Sequence, residues 1–80
     1  MSPLAELLAY LASTLVDRPD EVAVDESEGE EGLVLNLKVG GGDVGKVIGK
    51  QGRTARALRN VMHAAAALRD VRVHVHFIDA

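Results

Sequence analysis

The sequence predicts an α+β sandwich of order α-β-β-α-α-β, with three helices packed on one face of a three-stranded sheet. Three observations carry that reading. An apolar stripe at helical spacing precedes Pro19, stretches near residues 33–39 and 71–77 alternate apolar with polar, and a glycine-split helical pattern lies between them. Nothing repeats and no linker is long enough to divide the chain, so residues 1–80 read as a single domain.

Ser2-Pro3 opens the first helix, because a serine hydroxyl caps free N–H groups and proline suits the first turn. Leu4, Leu7, Leu8, Leu11 and Leu15 then form one apolar stripe. Asp17-Arg18-Pro19-Asp20 ends that helix, since proline removes a donor and restricts the residue before it. Val22-Ala23-Val24 is a short strand. Asp25 to Gly32 holds five acids and two glycines and reads as an acidic turn. Leu33, Leu35, Leu37 and Val39 alternate with Val34, Asn36 and Lys38, a half-buried strand that closes a hairpin with the first.

Gly40-Gly41-Gly42 follows, and Asp43 is placed to cap a short helix carrying Val44, Val47 and Ile48 on one face. The triple glycine leaves the orientation of that helix open. Gly49-Lys50-Gln51-Gly52 breaks the pattern, and a longer helix runs from about Arg53 to Leu68 with Leu58, Val61, Met62, Ala65 and Leu68 inward. Arg69-Asp70 ends it. Val71, Val73, Val75 and Phe77 alternate with Arg72, His74 and His76 as the last strand.

Composition narrows the function. The chain has no cysteine, which excludes a disulfide framework and any cysteine-based zinc or iron–sulfur site and points to a reducing, cytoplasmic setting. No run approaches the ~18 apolar residues of a membrane span. The apolar stretch from Met1 to Val16 lacks a basic start and is interrupted by Glu6, so it does not read as a signal peptide. A domain of this size buries only about 60% of its unfolded surface, a thin core that favours a partner. The net charge of −3 hides an asymmetry. Residues 1–37 carry nine acids against Arg18 alone, whereas residues 38–80 carry eight bases against Asp43, Asp70 and Asp79. No acid lies between Val44 and Leu68, so one half of the chain has a positive field suited to a polyanion.

Several motif readings meet on residues 40–53. Gly40-Gly41-Gly42-Asp43-Val44-Gly45 fits the dinucleotide pattern G-x-G-x-x-G, but the acid about 20 residues on and the second half of the sheet are missing. Gly40 to Lys46 fits the start of a P-loop, but Val47 stands where the magnesium-holding hydroxyl belongs. The third reading is a helix–G-x-x-G–helix in Val47-Ile48-Gly49-Lys50-Gln51-Gly52-Arg53. Two glycines permit a tight turn and let a polyanionic backbone approach the main chain. The helix that follows supplies unpaired N–H groups and a positive dipole end. Lys46, Lys50, Arg53 and Arg56 supply cations, and Val47 and Ile48 an apolar shelf for bases, which together describe a groove for single-stranded nucleic acid. The alternative is an ordinary helix–helix turn in a protein-interaction or dimerisation module.

At these residues the chain resembles the KH domains, whose G-x-x-G loop grips about four nucleotides of backbone. The order of elements resembles the type II, prokaryotic arrangement. The stretches Leu15–Val24, Asp43–Arg59 and Val71–Ile78 make nearly the whole chain similar to the small stand-alone bacterial KH proteins of the KhpA type. That resemblance implies single-stranded RNA binding, an RNA-chaperone role, and homodimers or heterodimers with a KhpB-type KH protein. It also implies a link to cell-length control and peptidoglycan homeostasis. The triple glycine is a departure from the stiffer connection expected there.

Other residues point elsewhere only weakly. Arg56, Arg59 and His63 recur on one helix face, as solvated charges do, and Arg56 lies one turn from the loop. His74 and His76 share a strand face with Asp79 as the sole nearby acid, a poor ligand set, so no metal or cofactor is expected. They are expected on the open face of the sheet. Ala64-Ala65-Ala66-Ala67 permits close packing on the sheet or against a second helix. Ser2, Ser13 and Ser27 form no arrangement with a histidine and an acid, so no catalysis is expected.

Overall fold

The computed structural model describes residues 2–78. Met1, the start of the apolar segment weighed as a leader, and Asp79, the acid weighed beside the histidines, lie outside the described residues. Helix α1 spans Pro3–Ser13, and the Ser2 hydroxyl accepts the Ala5 N–H at 3.1 Å, as the capping pattern requires. Its buried face is Leu4, Ala5, Leu8 and Ala12, with Leu7 and Leu11 half-buried at its margin. The expected stripe is therefore corrected by a rotation toward the alanines, whose small side chains let the helix lie close to the sheet. Leu15 falls past the helix end and is exposed.

The largest correction concerns the acidic segment. Strand β1 spans Ala23–Gly29 and pairs in antiparallel fashion with β2, Gly32–Lys38, from Ala23↔Lys38 to Gly29↔Gly32. Only Glu30 and Glu31 form the turn. Acids are tolerated at Asp25, Glu26 and Glu28 because β1 is an edge strand, exposed along nearly all its length, and the apolar partner is β2. Charge on an edge also discourages pairing with further chains.

The sheet order is β1-β2-β3, with β3, Val73–Phe77, parallel to β2. Parallel neighbours need a long crossover, supplied by α2, Val44–Ile48, and α3, Arg53–Leu68. Leu35 and Leu37 of β2 and Val73 and Val75 of β3 face a core shared with Leu8 and Met62. Val34, Asn36, His74 and His76 are register partners on the opposite face of the sheet. On α3 the buried positions are Ala55, Leu58, Met62 and Ala66. Val61 and Leu68, expected inward, are exposed, Leu68 to 90%. Val71 is also exposed and lies outside β3. Among the described residues, no helix is long and apolar enough to cross a membrane.

Candidate nucleic-acid interface

Helix α2 has five residues and one fully buried side chain, Val47. It ends where Gly49 takes φ 78°, ψ 172°, and Lys50-Gln51-Gly52 form a single tight turn before α3. The turn closes by the Gly52 N–H donating to the Gly49 carbonyl at 3.1 Å and the Arg53 N–H donating to that of Lys50. Gln51, at φ 57°, and Gly52, at φ 74°, are both left-handed. The two glycines do different work. A Cβ on Gly49 would lie 2.8 Å from the Thr54 backbone nitrogen, whereas a Cβ on Gly52 would meet nothing within 4 Å. Gly49 thus allows the chain to fold against itself, and Gly52 leaves an open approach to the main chain.

No side chain caps α3; its first N–H, that of Arg53, is used by the Lys50 carbonyl, and the positive end of its dipole faces the loop. Lys50, Gln51, Arg53 and Arg56 are exposed, and among the described residues none of the three cations has a carboxylate within 4.0 Å. Ile48 is half-buried beside them. Val47, expected on the apolar shelf, is 2% exposed and belongs to the core, so any apolar contact falls to Ile48.

Lys46 and Asp43 differ from their expected places. The Asp43 side chain does not cap α2. It is 3% exposed, and its carboxylate accepts the N–H of Asp17 at 3.3 Å and of Arg18 at 3.0 Å. Lys46 pairs with it at 3.2 Å and also with the Asp17 carboxylate. Burial pushes the Asp43 carboxyl up, but the two backbone N–H groups and the Lys46 ammonium together hold it below its usual 3.8. Hydrogen bonds to Asp17 and Asp43 raise Lys46 above its usual 10.5. The spacing of Asp43 and Lys46 was a local signal for their pairing. Nothing local pointed to the backbone of residues 17–18.

Arg59 is also engaged within the fold. Its Nε donates to the Val75 carbonyl at 3.2 Å, and its guanidinium sits 4.8 Å from the centre of the Phe77 ring. His63 is exposed further along α3. The sixteen residues of α3, about 24 Å of helix, separate the cationic loop from the end where Leu33 bonds to Arg72 and the acidic hairpin turns. The acidic hairpin turn and the cationic loop therefore lie toward opposite ends of α3, although Asp17 sits beside Lys46, and Arg69 and Arg72 line the hairpin end with the glutamates.

Comparison with known proteins gives the family. A family model described as "KhpA/KhpB, KH domain" matches residues 5–77. The "RNA-binding protein KhpA" of Clostridium acetobutylicum is 52% identical over 75 residues, covering 94% of this chain and 100% of that one. The protein of the same name from Treponema pallidum is 53% identical over 74 residues, 92% of each chain. A crystal structure of a variant of Aquifex aeolicus Era bound to GDP.AlF4- matches 92% of this chain and 29% of that one, with a TM-score of 0.61. At 17% identity that likeness concerns the fold alone.

Proposed function

This chain belongs to the KhpA/KhpB family of KH domains, a non-enzymatic family, and on that premise we propose that it binds single-stranded RNA through Gly49-Lys50-Gln51-Gly52. The relatives' shared name supports RNA as the ligand. The observation that carries the loop as the site is the open approach at Gly52, flanked at an uncapped helix start by Lys50, Arg53 and Arg56, exposed cations with no carboxylate partner among the described residues. In this reading a phosphate sits against the open side of Gly52, at the positive end of the α3 dipole. Lys50 meets a neighbouring phosphate from the tip of the turn, and Arg53 and Arg56 continue the path along α3. Ile48 offers the apolar edge on which a base rests. Lys46 is held by two carboxylates, so a phosphate would compete with them for it.

The finer reading is that residues 1–80 form one KH domain working in the cytoplasm as an RNA chaperone, as a homodimer or with a KhpB-type partner. Roles in cell length and cell-wall homeostasis follow from the resemblance. Replacing Lys50 and Gln51 together by Asp tests the site. Both side chains are exposed, and surface changes of this kind alter stability by less than about 0.5 kcal/mol. Two carboxylates facing phosphates should remove binding of a single-stranded RNA in fluorescence anisotropy while the circular dichroism melt stays that of the parent. A double variant that melts normally and binds like the parent makes the loop a structural turn and the chain an interaction module.

A further inference from the structure

We propose that Asp43 is the positioning residue of this interface: its buried carboxylate, with Lys46 as counter-ion, holds α2 and the loop behind it in a single orientation. Lys46 is thereby used inside the protein and makes no phosphate contact. The RNA arm of this inference rests on the function proposed above.

The need for such an anchor follows from α2 itself. Five residues are far below the length at which a helix is stable alone, so its orientation comes from tertiary contacts. Upstream, Gly40-Gly41-Gly42 enter it through a single 3-10 turn closed by the Asp43 N–H donating to the Gly40 carbonyl at 2.8 Å, so that connection too runs through Asp43. Downstream lies the loop. Val47 in the core and Val44 packed against it seat the apolar side of α2, and the polar contacts of Asp43 tie its start to a second part of the fold. Asp43 is the sole buried charged residue among those described, and it binds two successive backbone N–H groups, of Asp17 and Arg18, in the segment that follows α1. Two donors from one rigid stretch define a direction. The Lys46 ammonium, one turn along α2, closes the arrangement onto the Asp17 carboxylate as well. The start of α2 and its centre are therefore both tied to the same short segment.

Asp43→Asn keeps the shape and removes the charge, and its amide can present only one oxygen to three donors. Hydrogen exchange should then show the amides of residues 49–54 opening at least tenfold faster, beyond any change shared with the centres of β2 and α3. RNA affinity should fall about tenfold. Val73→Ala, a buried change at the hairpin end of β3, serves as a control of comparable melting loss and should bind RNA as the parent does. Lys46→Met should leave the salt dependence of RNA binding unchanged, whereas Lys50→Met should lower the slope by about 0.7, the share of one phosphate on a single strand. Parental exchange at 49–54 in Asp43→Asn overturns the positioning role. A slope change in Lys46→Met equal to that of Lys50→Met overturns the internal role of Lys46, and this arm decides if Asp43→Asn does not fold. If the parent binds no RNA, the functional reading fails while the exchange measurement still decides the anchor.

Discussion

Gly49 and Gly52 bound the same loop, yet substitution should separate them. Gly52 is in the left-handed helical region, where an added Cβ costs roughly 1–2 kcal/mol, and Gly49, at ψ 172°, is in the positive-φ extended region open essentially only to glycine. At Gly52 that strain is the whole penalty, because the new methyl meets open space. Gly52→Ala should therefore lower the melting temperature by several degrees, since about 1 kcal/mol moves a domain of this size by roughly 4–8 °C. It should also weaken RNA binding, because the methyl fills the approach to the main chain. Gly49→Ala adds a collision with the Thr54 backbone and should lose more stability than Gly52→Ala in the same melts. Asp43 makes a second prediction at this scale. Its carboxyl is held below 3.8, so the folded state binds that proton less readily than the unfolded one. The stability it contributes is present above pH 3.8 and is lost as pH falls through its lowered value. Lys46, raised above 10.5, contributes below that pH and loses its share as pH rises through the raised value. The melting difference between the parent and Asp43→Asn should accordingly be full at pH 7 and shrink toward pH 3. An equal gap at both pH values would remove the carboxylate from the account.

At the scale of elements, α3 shows which parts of a periodic pattern carry energy. Val61 and Leu68 fit a helical stripe but are exposed, so Val61→Ser and Leu68→Ser should each change stability by less than about 0.5 kcal/mol in urea unfolding. Arg59 looks like a solvated charge and is instead a link between α3 and β3. Arg59→Met should remove about 1 kcal/mol through the lost hydrogen bond and ring contact. Helices α1 and α3 were legible because capping, period and terminators agree within each segment: Ser2-Pro3 at one start, Gly52 at the other, and Arg69-Asp70 at the end. Strand β1 was legible only in its first residues. Local composition made Asp25 to Glu28 a turn, and pairing with β2 made them a strand, because an edge needs one apolar neighbour and can leave its other side wet.

Over the whole molecule, charge and size set the behaviour. The acidic hairpin turn and the cationic loop lie toward opposite ends of α3, and the field that draws a polyanion is local to Lys50, Arg53 and Arg56. Parental RNA affinity should consequently fall with added salt, on the shallow slope of a few neutralised phosphates. A domain of this size has a thin core, and the mass in solution tests the proposed homodimer. Light scattering at micromolar concentration should give a mass near twice 8.5 kDa, and a monomer mass up to millimolar concentration would exclude the homodimer.

The order of elements, the G-x-x-G loop and its cations were determined by the sequence alone, because each depends on residues within a turn or a strand of one another. Period, glycine placement and uninterrupted basic charge are local quantities. What only the tertiary structure decided is how these parts are held. The carboxylate of Asp43 found its donors 25 and 26 residues away, β1 gained its length from β2, and Val47 went into the core while Arg59 turned to the sheet edge. Such contacts join groups far apart in the chain, and a backbone N–H carries no residue identity to read. Their partners are chosen by which surfaces meet when the core closes.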